Sequence, residues 1–201
     1  MQLLVSPEVI DVQERGTIKA TGWLGLAAAS LVGVAEFALH YDAAGRYGQS
    51  YEFLRDVPQW HMNFGHFVAV LCFPIYFAGY WHLYLRLRPA AKSWRLAFLL
   101  TGVYSLSLGQ VWLGSRVYLI LLLQSPELLE RASFYNEALL SFMRLAMFLS
   151  SAVFAWLVAT GRSSFPPWLA TLNPILLVEI TEELLRHPRQ RCHESDCRDG
   201  L

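Results

Sequence analysis

The sequence has no excess charge of either sign and few charged residues for its length. Its 16 lysine and arginine residues balance 16 aspartate and glutamate residues, so the formal net charge is zero. Because proteins that bind nucleic acid neutralise phosphates with a basic surface, this balance argues against a nucleic-acid partner. Cysteine is equally scarce: Cys72 lies in an apolar run, and Cys192 and Cys197 lie near the end. Cysteines placed in this way provide no disulfide framework.

Residues 1–19 lack the basic start and short apolar core of a cleavable signal peptide, so the first apolar segment is expected to act as its own insertion signal.

What the sequence has in abundance is apolar residues: 55% of its residues are hydrophobic, and the mean hydropathy is +0.34. Charges fall between long apolar runs. This pattern predicts an all-α fold, a polytopic transmembrane helix bundle with one domain at residues 1–185 and a mobile tail at 186–201.

The apolar runs predict about five membrane spans. The fifth is the weakest, because it is short and interrupted by Asn173 and Pro174, and a four-span bundle with a re-entrant segment is the alternative. Lysine and arginine concentrate before the first span and after the second. The positive-inside rule therefore predicts a cytoplasmic N-terminus and an external loop at 41–60. The predicted spans are residues 20–40, 62–86, 96–122, 137–160 and 167–181.

A stripe of small residues runs along the first span, and such stripes let helices approach closely within lipid. The same spacing continues to Glu36 and then to His40, so both side chains are predicted to face the bundle interior. An acid within a span is costly and normally faces protein or a wet cavity, which makes Glu36 the most informative single residue. The stripe consists of Gly22, Gly25, Ala29 and Gly33.

The second predicted span carries no formally charged side chain from Met62 to Leu85. At roughly 100° per residue, an aromatic stripe falls within about 40° of His66, and Pro74 is expected to interrupt the backbone hydrogen bonds. His61 lies just outside the same end of the span. The alternative interpretation is that these aromatic residues are interfacial anchors and that His66 is a packing residue. The stripe includes Phe73, Phe77 and Tyr80.

Polar residues of the third and fourth spans are predicted at the same membrane depth as Glu36. Gln110 and Arg116 lie in the later half of the third span, and Glu137 and Arg144 in the first turns of the fourth. Gln110 and Arg116 point roughly 120° apart on a helix, so we expect Gln110 to face the interior and Arg144 to supply the cation. Structural ion pairs among these groups are the alternative to a functional site.

A pocket lined by aromatic side chains and ending in acids, imidazoles and a guanidinium suits an amphipathic ligand. A glutamate there can act as general acid or base beside a histidine, and aromatic faces stabilise carbocations. The sequence therefore predicts a membrane enzyme that isomerises or cyclises an isoprenoid or other lipid-like substrate. A non-catalytic lipid-binding, transport or accessory protein is the alternative. Expected catalytic residues are Glu36, His40 and His66, and expected substrate-binding residues are His61, Phe73, Phe77, Tyr80, Gln110, Glu137 and Arg144.

No cofactor or metal is expected, and the expected partner is a membrane lipid or isoprenoid-like small molecule. Membrane di-iron enzymes need more clustered histidines than the 6 in this chain, some of which lie near its end. A haem or metal ion held by His40 and His66 is an alternative that the residues leave open. The oligomeric state is not predicted.

Two stretches carry a resemblance to a known family. They are residues 22–89, with the acid at the end of the first span and the motif GYWHLYLRLRP, and residues 162–178, with PPWLATLNPILL. They resemble a family of small bacterial multispan membrane proteins of uncharacterised activity, which implies a multispan fold and no particular reaction. The assembly is also loosely similar to membrane-embedded terpene cyclases and sterol isomerases, small helical bundles with acids in a lipid pocket. That likeness implies isomerase or cyclase chemistry.

Overall fold

The computed structural model describes residues 7–41 and 51–172, with side chains from Arg15 onward apart from Glu52 and Leu172. Helix α1 spans Pro7–His40, α2 spans Gln59–Arg86, α3 spans Lys92–Leu122 and α4 spans Pro126–Ala159, and two 3-10 helices cover Tyr51–Asp56 and Pro167–Leu172. The described chain contains no strand. Each α-helix packs mainly against its neighbours in sequence, so α2 lies between α1 and α3, and α4 packs on α3.

The four α-helices are long and apolar enough to cross a membrane. The predicted transmembrane helix bundle is therefore confirmed, with four spans in the part of the chain that the structure describes. Large apolar side chains such as Trp23 and Leu71 are exposed, as expected for surfaces that face acyl chains. The predicted fifth span at 167–181 begins as a 3-10 helix up to Leu172, and the rest of it lies outside the described residues.

Two helices begin well before the spans predicted for them. Helix α4 starts at Pro126, so most of the predicted loop at 124–136 is helical, and α1 starts at Pro7. Hydropathy marks only the apolar part of a helix, whereas proline at the first position and Glu127 in the first turn favour a helix start in a polar sequence. The bundle therefore extends past the hydrocarbon at these helix ends.

Glycines set the contact between α1 and α2. A side chain at Gly25 would overlap the backbone of Gly79, and a side chain at Gly65 would overlap Leu39 of α1. Because lipid tails are as apolar as the helix surfaces, close van der Waals contact of this kind is the main source of helix association in a membrane. The two helices are therefore held together by backbone proximity along this seam.

The small-residue stripe predicted for α1 does not coincide with its buried face. A Cβ at Gly33 would meet no atom within 4 Å, and Glu36 is exposed. On a helical wheel the buried stripe is rotated by roughly 80° from the predicted one, which leaves Glu36 at its edge, about 40° from Val32. The inward orientation predicted for Gly33 and Glu36 is wrong, because Gly65 of α2 lies against Ala35 and Leu39, which places that side of α1, rather than the Gly33 side, in the interface. The buried stripe is Gly25, Ala28, Val32, Ala35 and Leu39.

Aromatic packing and serine hydrogen bonds join α2, α3 and α4. Tyr80 fills the space left by Gly102, and its ring centroid lies 5.4 Å from that of Phe98. The Ser105 hydroxyl donates to the backbone carbonyl of Met143 at 3.3 Å. Serine hydroxyls are common contacts between membrane helices because each bridges two helices without a charge.

The segment 51–57, which we call the cap segment, covers one end of α3. The Arg55 guanidinium donates to the carbonyl of Leu123 at 3.1 Å, just past the end of α3. This satisfies one of the backbone acceptors that a helix C-terminus leaves free. The buried apolar side chains of this contact are Phe53, Leu54, Val57, Leu119 and Leu123. We call this end of the bundle the cap end.

The opposite end of the bundle carries most of the basic residues that the structure describes, and we call it the basic end. There the ring nitrogen Nδ1 of His82 lies 2.8 Å from the carbonyl of Ile18, which joins α2 to α1. The backbone N–H of Ser164, after α4, donates to the carbonyl of Arg86 at 3.0 Å. The basic residues at this end are Arg15, Lys19, Arg86, Arg88, Lys92, Arg95 and Arg162.

Candidate functional site

The most deeply buried cation at the cap end is Arg116 of α3, which is only 3% exposed. Its guanidinium carbon lies 4.5 Å from the ring centroid of Trp112 and 5.4 Å from that of Tyr51. Such cation–π contacts partly offset the loss of hydration, yet the Nε–H of Arg116 has no hydrogen-bond partner among the described residues. A charged group with an unsatisfied donor in this setting is a feature that packing alone does not explain.

Trp112 provides a second unsatisfied donor one helical turn earlier. Its side chain is 4% exposed, and within the described part of the chain its indole N–H also finds no acceptor. Trp112 and Arg116 are four residues apart, so they share a face of α3. The two side chains therefore form a pair of neighbouring buried donors.

Helix α1 reaches this pair with its last turn. The His40 ring lies 5.5 Å from the Trp112 ring, centroid to centroid. The guanidinium of Arg116 is close enough to interact electrostatically with both His40 and the carboxylate of Glu36. Glu36 and His40 thus lie near Arg116, whereas the prediction had placed them with the guanidinium of Arg144.

Helix α4 holds the other side of Trp112 through a buried amide. Asn136 is 3% exposed, and its Nδ2 donates to the Ser115 hydroxyl at 2.7 Å and to the Trp112 carbonyl at 3.4 Å. Its Oδ1 accepts no hydrogen bond from the described residues. Asn136 fixes α4 against the turn of α3 that carries Trp112 and Arg116, and it adds a free acceptor beside the two free donors.

The cap segment closes the site from the end of the bundle. Tyr51 places its ring against the Arg116 guanidinium and donates a hydrogen bond from its hydroxyl to the carboxylate of Glu137 on α4. Glu137 itself is exposed. The predicted substrate-binding residue Glu137 therefore acts here as the anchor of the cap segment.

The choice of Arg144 rather than Arg116 as the interior cation is wrong. Arg144 is exposed on α4, whereas Arg116 is buried. Helical geometry correctly separated Gln110 from Arg116, but α3 is covered on more than one side, so both of its polar residues are in contact with protein. The signal that sequence reasoning missed is the spacing of Trp112 and Arg116, which puts an aromatic ring beside a guanidinium on one face.

Gln110 makes a contact between helices. Its side-chain amide donates to the backbone carbonyl of Val70 on α2 at 3.1 Å. In a regular helix that carbonyl would accept from the residue four positions later, which is Pro74 and has no N–H. Gln110 therefore completes the backbone hydrogen bonding of α2 within the membrane.

The remaining predicted residues lie along α2. His66 is half-buried, with its Nδ1 lacking a hydrogen-bond partner among the described residues, and the His61 ring lies 3.9 Å from the Trp60 ring, centroid to centroid. Phe73 is 7% exposed, and Phe77 and Tyr80 pack against the same hydrophobic cluster. The aromatic stripe thus faces the bundle, as predicted. Across the described residues, no three His, Cys, Asp or Glu side chains group as a metal site would require.

The fold and this site define the class: a helical membrane protein with four described spans and buried polar groups at one end. Residues 10–192 match the family of unknown function DUF6796, and the chain belongs to that family. No curated protein and no solved structure matches the chain. The likeness to terpene cyclases and sterol isomerases therefore gains no support from these comparisons.

Proposed function

We propose that this protein binds a lipid-like small molecule whose polar group lies at the cap end, against Arg116 and Trp112. The observation that carries the proposal is the pair of buried N–H donors, Arg116 Nε and Trp112 Nε1, with no acceptor among the described residues. A buried donor without an acceptor costs about 1–3 kcal/mol, and more when the group is charged. An oxygen-bearing ligand would recover that free energy by accepting from both groups.

The position of the pair in the membrane favours an amphipathic ligand. Arg116 lies six residues before the end of α3 at Leu122, or about 9 Å along the axis at 1.5 Å per residue. If a ligand places its polar group at that depth, the rest of the ligand lies among the helices or the acyl chains. An apolar chain suits those surroundings. The aromatic stripe of α2, with Phe73 in the same hydrophobic cluster as Trp112, supplies the apolar surroundings.

Native mass spectrometry of the protein, purified in an uncharged detergent, tests this proposal. We expect one lipid-like adduct per chain that survives removal of the detergent, and its mass would identify the ligand after extraction. A bare protein, or a graded series of bulk phospholipid adducts without a preferred stoichiometry, would contradict the proposal.

A second candidate is the membrane enzyme that isomerises or cyclises an isoprenoid, and the proximity of Glu36, His40 and Arg116 favours it. In such a reaction an acid adds a proton to an alkene and a base removes a different proton, so the product is an isomer of the substrate. Glu36 is the candidate acid or base, and His40, one turn later, is its candidate partner.

Solvent deuterium reveals this reaction without knowledge of the substrate. Protein incubated with an isoprenoid extract in deuterated water should transfer deuterium to carbon in one lipid, and Glu36→Gln should abolish the transfer while lipid binding persists. An active Glu36→Gln protein would remove Glu36 from the mechanism. Destabilisation of that variant would indicate a structural pairing of Glu36 with Arg116 instead.

We also propose a location in a bacterial inner membrane with the N-terminus in the cytoplasm. The support is the charge of the two ends: basic side chains such as Arg88 and Lys92 gather at the basic end, and acidic ones such as Asp56 and Glu130 lie at the cap end. Lysine and arginine near span ends favour the cytoplasmic side. The cap end, with its candidate site, would then face the exterior.

A further inference from the structure

We infer that the polar group of the ligand is an oxyanion, the carboxylate or phosphate oxygen of a lipid-like amphiphile, bound by the guanidinium of Arg116 and the indole N–H of Trp112. This inference rests on the proposed function, because it specifies the ligand of the same site. It goes beyond that proposal by assigning the charge of the ligand and the two side chains that recognise it.

The charge of Arg116 is the first argument. Its guanidinium is 3% exposed, and its contacts in the described part of the chain are two aromatic rings rather than a carboxylate in ion-pair contact. A buried cation without an anion is strongly disfavoured, whereas an anion in contact with it compensates the charge. A neutral alcohol or amide would satisfy a donor and leave the charge uncompensated, so an anionic head group fits best.

The geometry of the two donors is the second argument. Guanidinium groups bind carboxylate and phosphate through planar, charge-assisted hydrogen bonds, and arginine is the residue most suited to such recognition. The Trp112 ring lies 4.5 Å beneath the Arg116 guanidinium carbon, which holds the guanidinium plane in place, and its own N–H adds a neutral donor beside it. Because the two unsatisfied donors lie one turn apart on the same face of α3, we expect one oxyanion to accept from both.

The neighbouring acid explains how the charge of Arg116 is tolerated before a ligand binds. Glu36 interacts with the guanidinium electrostatically but is exposed at the edge of the α1 interface. The carboxylate of Glu36 therefore lowers the free-energy cost of burying the charge of Arg116 without accepting from the Arg116 Nε–H or the Trp112 N–H. Glu36 is therefore expected to compete weakly with a bound anion, and its neutralisation in Glu36→Gln should tighten anion binding.

Four amphiphiles with the same chain length provide the test: dodecanoate, dodecyl phosphate, dodecanol and dodecyltrimethylammonium. Acetate and inorganic phosphate serve as free anions without the chain. Ligands that bind the folded state raise its melting temperature by mass action, so thermal titration in an uncharged detergent gives the affinities. We expect the two anionic amphiphiles to bind at least about tenfold more tightly than dodecanol, which corresponds to ~1.4 kcal/mol. The free anions should bind more weakly than either anionic amphiphile.

Three variants assign the effect to the two side chains. Arg116→Met should abolish the preference for anions, and Trp112→Phe, which keeps a ring but removes the N–H, should weaken dodecanoate binding by about fivefold. Arg131→Met is the matched control, since Arg131 is an exposed arginine near the same end of the bundle. Arg116→Lys keeps the charge but not the planar fork, so it should bind dodecanoate with reduced affinity and still prefer it to dodecanol.

The stability of ligand-free Arg116→Met is a further readout. If Arg116 serves a ligand, its replacement by an apolar side chain of similar volume should leave the melting temperature unchanged or raise it. A large loss of stability in that variant, together with no anion preference in Arg116→Lys, would overturn the inference.

The outcomes of these titrations also distinguish the anion inference from the proposed function. If dodecanol binds as tightly as dodecanoate, and Arg116→Met leaves both affinities unchanged, the anion inference is wrong while lipid binding stands. If no amphiphile of any charge stabilises the protein, the proposed function fails as well. If inorganic phosphate bound more tightly than dodecyl phosphate, the ligand would be a free anion and the lipid assignment would be overturned.

Discussion

The side-chain amide of Gln110 donates a 3.1 Å hydrogen bond to the Val70 carbonyl, the acceptor in α2 that Pro74 leaves without a backbone donor. A proline inside a membrane helix is tolerated where a neighbouring side chain satisfies the freed carbonyl. Gln110 supplies that hydrogen bond from α3. A polar side chain at position 110 is therefore explained by Pro74 of α2, which leaves a backbone carbonyl without a donor.

Gln110→Met should therefore destabilise the bundle by about 1–3 kcal/mol, because it keeps the side-chain volume but leaves the Val70 carbonyl unsatisfied. Pro74→Ala restores an N–H that can donate to that carbonyl. In the Pro74→Ala background the same Gln110→Met change should cost much less. Equal costs in both backgrounds, measured by unfolding in mixed micelles, would contradict the compensation between Gln110 and Pro74.

The α1–α2 seam gives a second prediction with a control on the same helix. Gly25→Ala should destabilise the protein by about 1–3 kcal/mol, since its Cβ would overlap the Gly79 backbone. Gly33→Ala should be neutral or slightly stabilising, because no atom lies within 4 Å of the added Cβ and alanine favours a helix. The comparison is made by thermal unfolding, and a cost of Gly33→Ala as large as that of Gly25→Ala would show that α1 is rotated toward the predicted small-residue stripe.

The hydrogen bond from Tyr51 to Glu137 should hold the cap segment over Arg116. Tyr51→Phe removes the hydroxyl and keeps the ring, so amide hydrogens of residues 53–57 should exchange faster with solvent. The measurement is hydrogen–deuterium exchange, which reports such local opening. Exchange in α2 near the basic end, around His82, is the internal reference and should not change. If protection at 53–57 does not change, the cap segment is held by its other contacts, which are apolar packing and the hydrogen bond from Arg55 to Leu123.

The orientation is tested by labelling engineered cysteines in intact cells, after replacement of the native cysteines by serine. A reagent that does not cross the membrane should react with Asp56→Cys at the cap end and not with Lys92→Cys at the basic end. Permeabilised cells should show labelling of both positions, which checks that each is accessible. The reverse pattern in intact cells would place the cap end in the cytoplasm.

The sequence was sufficient for the presence of four long apolar helices, because these follow from apolar run length, but it did not predict the polar start of α4. It predicted that Glu36 and His40 meet a guanidinium, but it assigned that role to Arg144 in place of Arg116. It did not determine helix rotation. The contacts of Gly65 with Ala35 and Leu39 decide which face of α1 is buried, and those contacts depend on a second helix.

The identity of the buried arginine was missed for a related reason. A helical wheel of α3 places Gln110 and Arg116 on different faces. It does not show that α2, α4 and the cap segment cover several sides of α3. Tyr51 and Asn136, which surround Trp112 and Arg116, come from segments assigned to loops by hydropathy. Their roles arise from tertiary packing and from a helix that begins before its apolar part.

The central claim is that the cap end binds a lipid-like molecule against Arg116 and Trp112. Photo-crosslinking tests this claim most directly. A dodecanoate with a diazirine next to its carboxylate, activated on the purified protein, should label peptides that contain Trp112–Arg116 or the cap segment. Excess dodecanoate should compete, and Arg116→Met should lose the label while Arg131→Met keeps it. Labelling confined to lipid-facing positions such as Trp23 and Leu71, without competition, would contradict the account.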